Sequence, residues 1–174
     1  MRKTVLRYGG YAVLLMIILF TLSYTVFSGF GYSGQEAVGW SSIILANVFV
    51  FFGIKYFRDK VNNGLLSFGQ ALKLGLLISI LPSIAFGLFN IIYIAWIDPQ
   101  FNEKYYGRMV EEAKASTPPD KLAAVIADME KQKEFFSSVP MQFLVMFLSV
   151  FMIGLIVTII SAFILKRKAA VQYA

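Results

Sequence analysis

The 24 residues from Leu74 to Ile97 carry no charge, and as a helix they would extend roughly 36 Å. That is longer than the hydrocarbon layer of a bilayer, roughly 30 Å. Three further apolar runs have the length of a crossing, so the expected transmembrane helices fall at about 8–27, 38–57, 68–97 and 139–165. Only 15% of the residues are charged, where a soluble domain would carry about 25%. The expected fold class is all-α: a single integral membrane domain over residues 1–174, built as a four-transmembrane-helix bundle with an extracytoplasmic helical hairpin between helices three and four, at about 98–138.

Local signals punctuate these runs. A secretory signal peptide has an apolar core of only about 7–15 residues and a small-residue cleavage site. Val26-Phe27-Ser28-Gly29 is a weak match, so the first run is expected to stay as a helix. Gly29, Gly31 and Gly34 read as a tight connection, followed by a capping box from Ser33 to Glu36. Asn62-Asn63-Gly64 reads as a turn. Ser67-Phe68-Gly69-Gln70 repeats the capping pattern and starts helix three, and Lys73 in its second turn can snorkel to the headgroups. Pro82 removes a backbone donor and frees the carbonyl of Ile78, which predicts a kink, with Ser79 or Ser83 available to the freed group. Asp98 and Pro99 form the helix junction, read as an N-cap followed by Pro at the first helical position. Thr117-Pro118 repeats that reading before the next helix.

The segment 98–138 holds six basic and eight acidic residues. Two amphipathic helices fit it. Phe101, Tyr105 and Met109 share one face of the first, and Leu122, Ile126 and Met129 a narrower stripe of the second, interrupted by Lys133. These six are the candidate partner-binding face. The stripes can close on each other as a hairpin, lie on the membrane surface, or take another protein.

Basic residues cluster before helix one, between helices two and three, and after helix four. The positive-inside rule then puts both termini in the cytoplasm of a cell (inner) membrane protein and residues 98–138 outside. Small residues recur every four positions: Gly75, Ser79, Ser83 and Gly87 on helix three, Gly154, Thr158 and Ala162 on helix four. Such faces let membrane helices approach. Pairing Gly75 with Ala162, Ser79 with Thr158 and Ser83 with Gly154 keeps the residue-number sum at 237, as an antiparallel helix-packing seam requires.

There is no Cys and no His, which removes thiolate and imidazole chemistry and the usual zinc or haem ligands. No metal site and no cofactor is expected. The central turns of the runs hold no ionisable residue, which argues against an ion-coupled transporter. Asn47, Ser79, Ser83, Asn90 and Thr158 read as helix–helix hydrogen-bond partners. Asp98, Glu103, Glu111 and Glu112 are interleaved with Lys and Arg in the manner of a solvated face, and Glu111 with Lys114 has ion-pair spacing. No catalytic residue is assigned, and no basic soluble face suits nucleic acid.

The start MRKTVLRYG, the helix opening SFGQALKLG, the exit YIAWIDPQFNEKYYGRMVEEA and the ending GLIVTIISAFILKRK together span nearly the whole chain. In these the chain resembles a group of small bacterial membrane proteins, the domain of unknown function 4199 family. The resemblance implies four transmembrane helices with a soluble insert between the third and fourth, and implies no activity. The expected function is that of a non-enzymatic envelope or interaction scaffold using its hairpin, with the lipid bilayer and an envelope protein or a second copy as partners. The alternatives are a subunit of a small oligomeric transporter or channel and, last in order, a membrane enzyme on lipid-linked substrates.

Overall fold

The computed structural model describes residues 1–25 and 31–167, so the Val26–Gly29 cleavage match lies outside the described residues. Six α-helices carry the described chain: α1 (Arg2–Thr25), α2 (Gly31–Tyr56), α3 (Phe68–Ile92), α4 (Phe101–Ser116), α5 (Pro119–Phe136) and α6 (Val139–Leu165). There is no strand among the described residues. Four helical stretches are long and apolar enough to cross a membrane: Arg2–Ser23, Glu36–Val61, Phe68–Ile97 and Val139–Leu165.

Helix ends differ from the sequence expectation in instructive ways. The basic start is itself helical from Arg2, with the Val5 amide donating to the Met1 carbonyl at 3.0 Å. Nothing in Arg2–Arg7 breaks a helix, since Arg, Lys and Leu are all good formers. Helix α2 starts at Gly31, so Gly31, Ser33 and Gly34 lie inside it and Ser33 is not its N-cap. Two helices end in a π-helical turn, Phe57–Val61 after α2 and Tyr93–Ile97 after α3. The Asn62 amide donates to the Phe57 carbonyl and the Asp98 amide to the Tyr93 carbonyl, each at 2.9 Å, five residues back.

At the start of α3 both halves of a capping box are present. The Gln70 amide donates to Ser67 Oγ at 3.2 Å, and the Ser67 amide donates to Gln70 Oε1 at 3.1 Å. The preceding turn places Asn63 at φ 51° and Gly64 at φ 79°, the left-handed region that Asn and Gly tolerate best. Helix α3 continues through Pro82 to Ile92. The Ser83 hydroxyl donates to the Ser79 carbonyl (2.7 Å) and the Ser79 hydroxyl to the Gly75 carbonyl (3.0 Å). Neither serine reaches Ile78, because each is drawn to the carbonyl four residues behind it.

Asp98 does not cap α4. Asp98 to Phe101 form a β-turn, with the Phe101 amide donating to the Asp98 carbonyl at 3.0 Å and Gln100 at φ −92°, ψ 2°. That is the third-position geometry of a type I turn, in which Asp first and Pro second are favoured. Thr117 likewise ends α4 and does not cap α5. Pro118 is extended (φ −56°, ψ 143°) and Pro119 opens the helix, because a residue before proline is pushed out of the helical region.

The chain forms two compact units, Met1–Ala85 with Leu148–Ala174, and Phe86–Phe147. In the first, a core of Val50, Ile54, Leu66, Leu74, Ile78 and Leu165 is closed off from solvent. The Tyr8 ring lies 5.6 Å from that of Tyr56, and the Tyr11 ring 5.8 Å from that of Phe49, which joins α1 to α2. In the second, the rings of Tyr93 and Phe101 meet edge to face at 5.6 Å, and Phe101 stacks on Tyr105 at 6.2 Å.

Candidate functional site

In the first unit the usual soluble pattern is inverted. Ser42, Asn47, Ser79, Ser83, Thr158 and Ser161 are buried, while Leu14, Ile156, Phe163 and Ile164 are more than half exposed. A polar interior inside an apolar coat suits a chain whose surroundings are lipid. The buried hydroxyls and amide mostly back-bond to their own helices: Asn47 Nδ2 donates to Ile43 at 3.0 Å and Ser161 Oγ to Val157 at 2.6 Å.

The small residues of α3 and α6 meet, but one helical turn away from the expected register. A Cβ on Gly75 would stand 2.5 Å from Thr158 Cγ2, and one on Gly154 would stand 2.5 Å from Ser79 Oγ. The residue-number sum is therefore 233, not 237. The same sum relates Leu66 to Arg167, whose backbones exchange two hydrogen bonds of 2.8 Å. This bridge pins the chain just outside both helices. Ala162 is buried in the core that also contains Ala71. Gly87 is not part of this contact, since a Cβ there would meet the Phe143 ring at 2.6 Å. Helix α2 joins the seam: Asn47 Oδ1 would lie 2.7 Å from a Cβ on Gly154. Asn47 Oδ1 and Thr158 Oγ1 are both fully buried and accept no hydrogen bond among the described residues.

In the second unit, the polar insert is laced with ion pairs. Asp98 Oδ1 accepts from Lys104 Nζ at 2.9 Å and from the Gln100 amide at 3.2 Å, so the junction carboxylate holds the turn and the first helical lysine together. Glu112 pairs with Arg108 and Glu111 with Lys114, each at 2.8 Å. Lys133, which breaks the apolar stripe of α5, reaches Glu103 on α4 at 2.7 Å and lies 6.0 Å from the Tyr106 ring. Each of the four carboxylates singled out from the sequence is thus engaged with a cation. Burial pushes the Tyr106 phenol above its ordinary pKa; Tyr105 adds to this and Lys133 opposes it.

Phe101, Met109, Leu122, Ile126 and Met129 are half-buried, while Tyr105 is 44% exposed. Phe135 is more exposed than Tyr105, at 61%, and Phe136 somewhat less, at 38%. A cleft of about 470 Å³ opens within residues 86–147. Phe101, Tyr105 and Met109 line it beside Asn102, Gln132 and Lys133. The carboxamides were not evident as a group from sequence; the one available signal was Lys133 falling on an otherwise apolar stripe.

Apolar helices of crossing length around a polar, small-residue interior define a polytopic helical membrane protein. The family model for "Protein of unknown function (DUF4199)" matches residues 7–167, and the chain belongs to that family. No curated protein and no solved structure matches it.

Proposed function

We propose that the chain is a non-enzymatic protein of the cell (inner) membrane, with both termini cytoplasmic, and that residues 98–138 form an extracytoplasmic helical hairpin serving as an interaction module. Arg2, Lys3, Arg7, Lys55, Arg58, Lys60, Lys166 and Arg167 cluster at the start of α1, between the apolar parts of α2 and α3, and after α6, while the insert has more acids than bases. That asymmetry supports the orientation. The observation that carries the interaction role is the insert's pinned yet aromatic surface. Lys133–Glu103 ties α4 to α5, while Tyr105, Phe135 and Phe136 stay exposed, and aromatics are the residue types that anchor protein contacts. The back-bonded hydroxyls of α3 and α6 favour a packing role over a conduction path, which places the transporter or channel reading second.

A photo-crosslinking residue at Phe135 or Tyr105, in cells, tests the role. One discrete protein adduct that disappears when residues 98–138 are deleted supports it. Adducts with lipid alone refute it.

A further inference from the structure

We propose that the cleft within residues 86–147 binds one phospholipid with a zwitterionic headgroup. This goes beyond the interaction role and does not depend on which side of the membrane the insert faces.

The cleft is amphipathic along its length. Asn90 lies seven residues inside the Ile97 end of one crossing stretch, and Met146 seven residues inside the Val139 end of another. Both are therefore roughly 10 Å below the ends of their helices, at the depth where a lipid's glycerol and upper acyl chain lie. Glu103, Lys133 and Gln132 line the same cleft from the polar insert. Its volume of about 470 Å³ falls in the usual range for a ligand site, about 300–1,000 Å³. That is room for a headgroup, the glycerol and the start of one chain.

The polar lining fits this ligand better than an anionic one. Glu103 and Lys133 offer one charge of each sign 2.7 Å apart. A headgroup phosphate takes the Lys133 ammonium, and the headgroup ammonium takes the Glu103 carboxylate, beside the rings of Tyr105 and Tyr106. One internal ion pair is exchanged for two intermolecular ones, with no net charge buried. An anionic headgroup would satisfy Lys133 but face Glu103 and an insert of eight acids and six bases. The side-chain carboxamides of Asn90, Asn102 and Gln132 line the cleft and hydrogen-bond to none of the described residues. They supply donors for ester carbonyls and phosphate oxygens. Val145 and Met146 receive the chain.

The full-length protein, reconstituted in vesicles of equal phosphatidylethanolamine and phosphatidylglycerol, is extracted in mild detergent and weighed intact by native mass spectrometry. One phosphatidylethanolamine retained per chain, in clear excess over phosphatidylglycerol, is expected. Gln132→Leu, which leaves the Lys133–Glu103 pair alone, should lower retention about fivefold, the effect of one lost hydrogen bond. Val145→Trp, which fills the apolar end, should abolish it, with circular dichroism reporting that helix content is kept. Equal retention of both lipids by the unsubstituted protein overturns the proposal, as does retention untouched by either variant; the lipid is then a loose annular layer.

Discussion

Gly154→Ala probes the closest helix approach in the first unit. The added Cβ would lie 2.5 Å from Ser79 Oγ, 2.6 Å from Ser79 Cβ and 2.7 Å from Asn47 Oδ1. Carbon atoms prefer roughly 3.5–4.0 Å, so α6 must move by about 1 Å or the serine must change rotamer and lose its bond to Gly75. Overpacking of this kind destabilises by about 1–3 kcal/mol. Alanine's better helix propensity returns up to about 1 kcal/mol, leaving a net loss of about 1–2 kcal/mol. The register makes the test sharper. Removing the opposing side chain with Ser79→Gly should relieve the clash, giving a coupling of about 1–2 kcal/mol in a double-mutant cycle. Ser83→Gly, the partner that the alternative 237 register would demand, should couple by less than about 0.5 kcal/mol. Equilibrium unfolding in mixed detergent micelles, followed by circular dichroism, reads all four corners of each cycle. Coupling to Ser83 in place of Ser79, or a Gly154→Ala protein as stable as the parent, would refute the seam as described.

Other perturbations have comparably definite outcomes. Ser67→Ala removes one half of the reciprocal cap on α3 and should lower unfolding stability by about 1 kcal/mol, read in the same assay. Gly64→Ala meets no neighbour within 4 Å but must hold φ 79°; backbone strain alone should destabilise it by about 1 kcal/mol, and an Asn there should recover part of the loss. Lys133→Met keeps much of the side-chain volume but breaks the contact with Glu103. Global stability should change by less than about 1 kcal/mol, while hydrogen exchange across Pro119–Phe136 should quicken; unchanged exchange would show that this ion pair does not hold α5.

Much of the architecture is legible in the sequence because the bilayer demands it. Uninterrupted apolar length marks the four helices long enough to cross a membrane, and the Ser67–Gln70 box and the Asn63-Gly64 turn are local chemistry that three or four residues specify by themselves. What failed was where neighbours compete. Thr117 and Asp98 both look like caps, yet Pro119 forces Pro118 out of the helix, and Asp98 is taken by a turn and by Lys104. The seam shows a deeper limit. Small residues repeat every four positions on both helices, so sliding one helix by a turn leaves an equally regular match, and sums of 233 and 237 are indistinguishable by spacing. The tie is broken by contacts remote from the repeat, the Leu66–Arg167 bridge and Asn47 against Gly154. In the insert, amphipathic stripes are readable, but the meeting of Lys133 with Glu103, 30 residues apart, and the gathering of Asn90, Asn102, Gln132 and Gln142 around a cleft depend on tertiary placement that periodicity does not encode.

In the topology proposed above, the four apolar helices cross the membrane and leave residues 98–138 on the side opposite the loop between α2 and α3. The chain has no cysteine, so a single introduced thiol reports its own location. Intact cells carrying Ser116→Cys or Leu65→Cys are treated with a membrane-impermeant maleimide, before and after permeabilisation. In that topology Ser116→Cys is labelled at once and Leu65→Cys only after permeabilisation. Labelling of both positions in intact cells, or of Leu65→Cys alone, would contradict it.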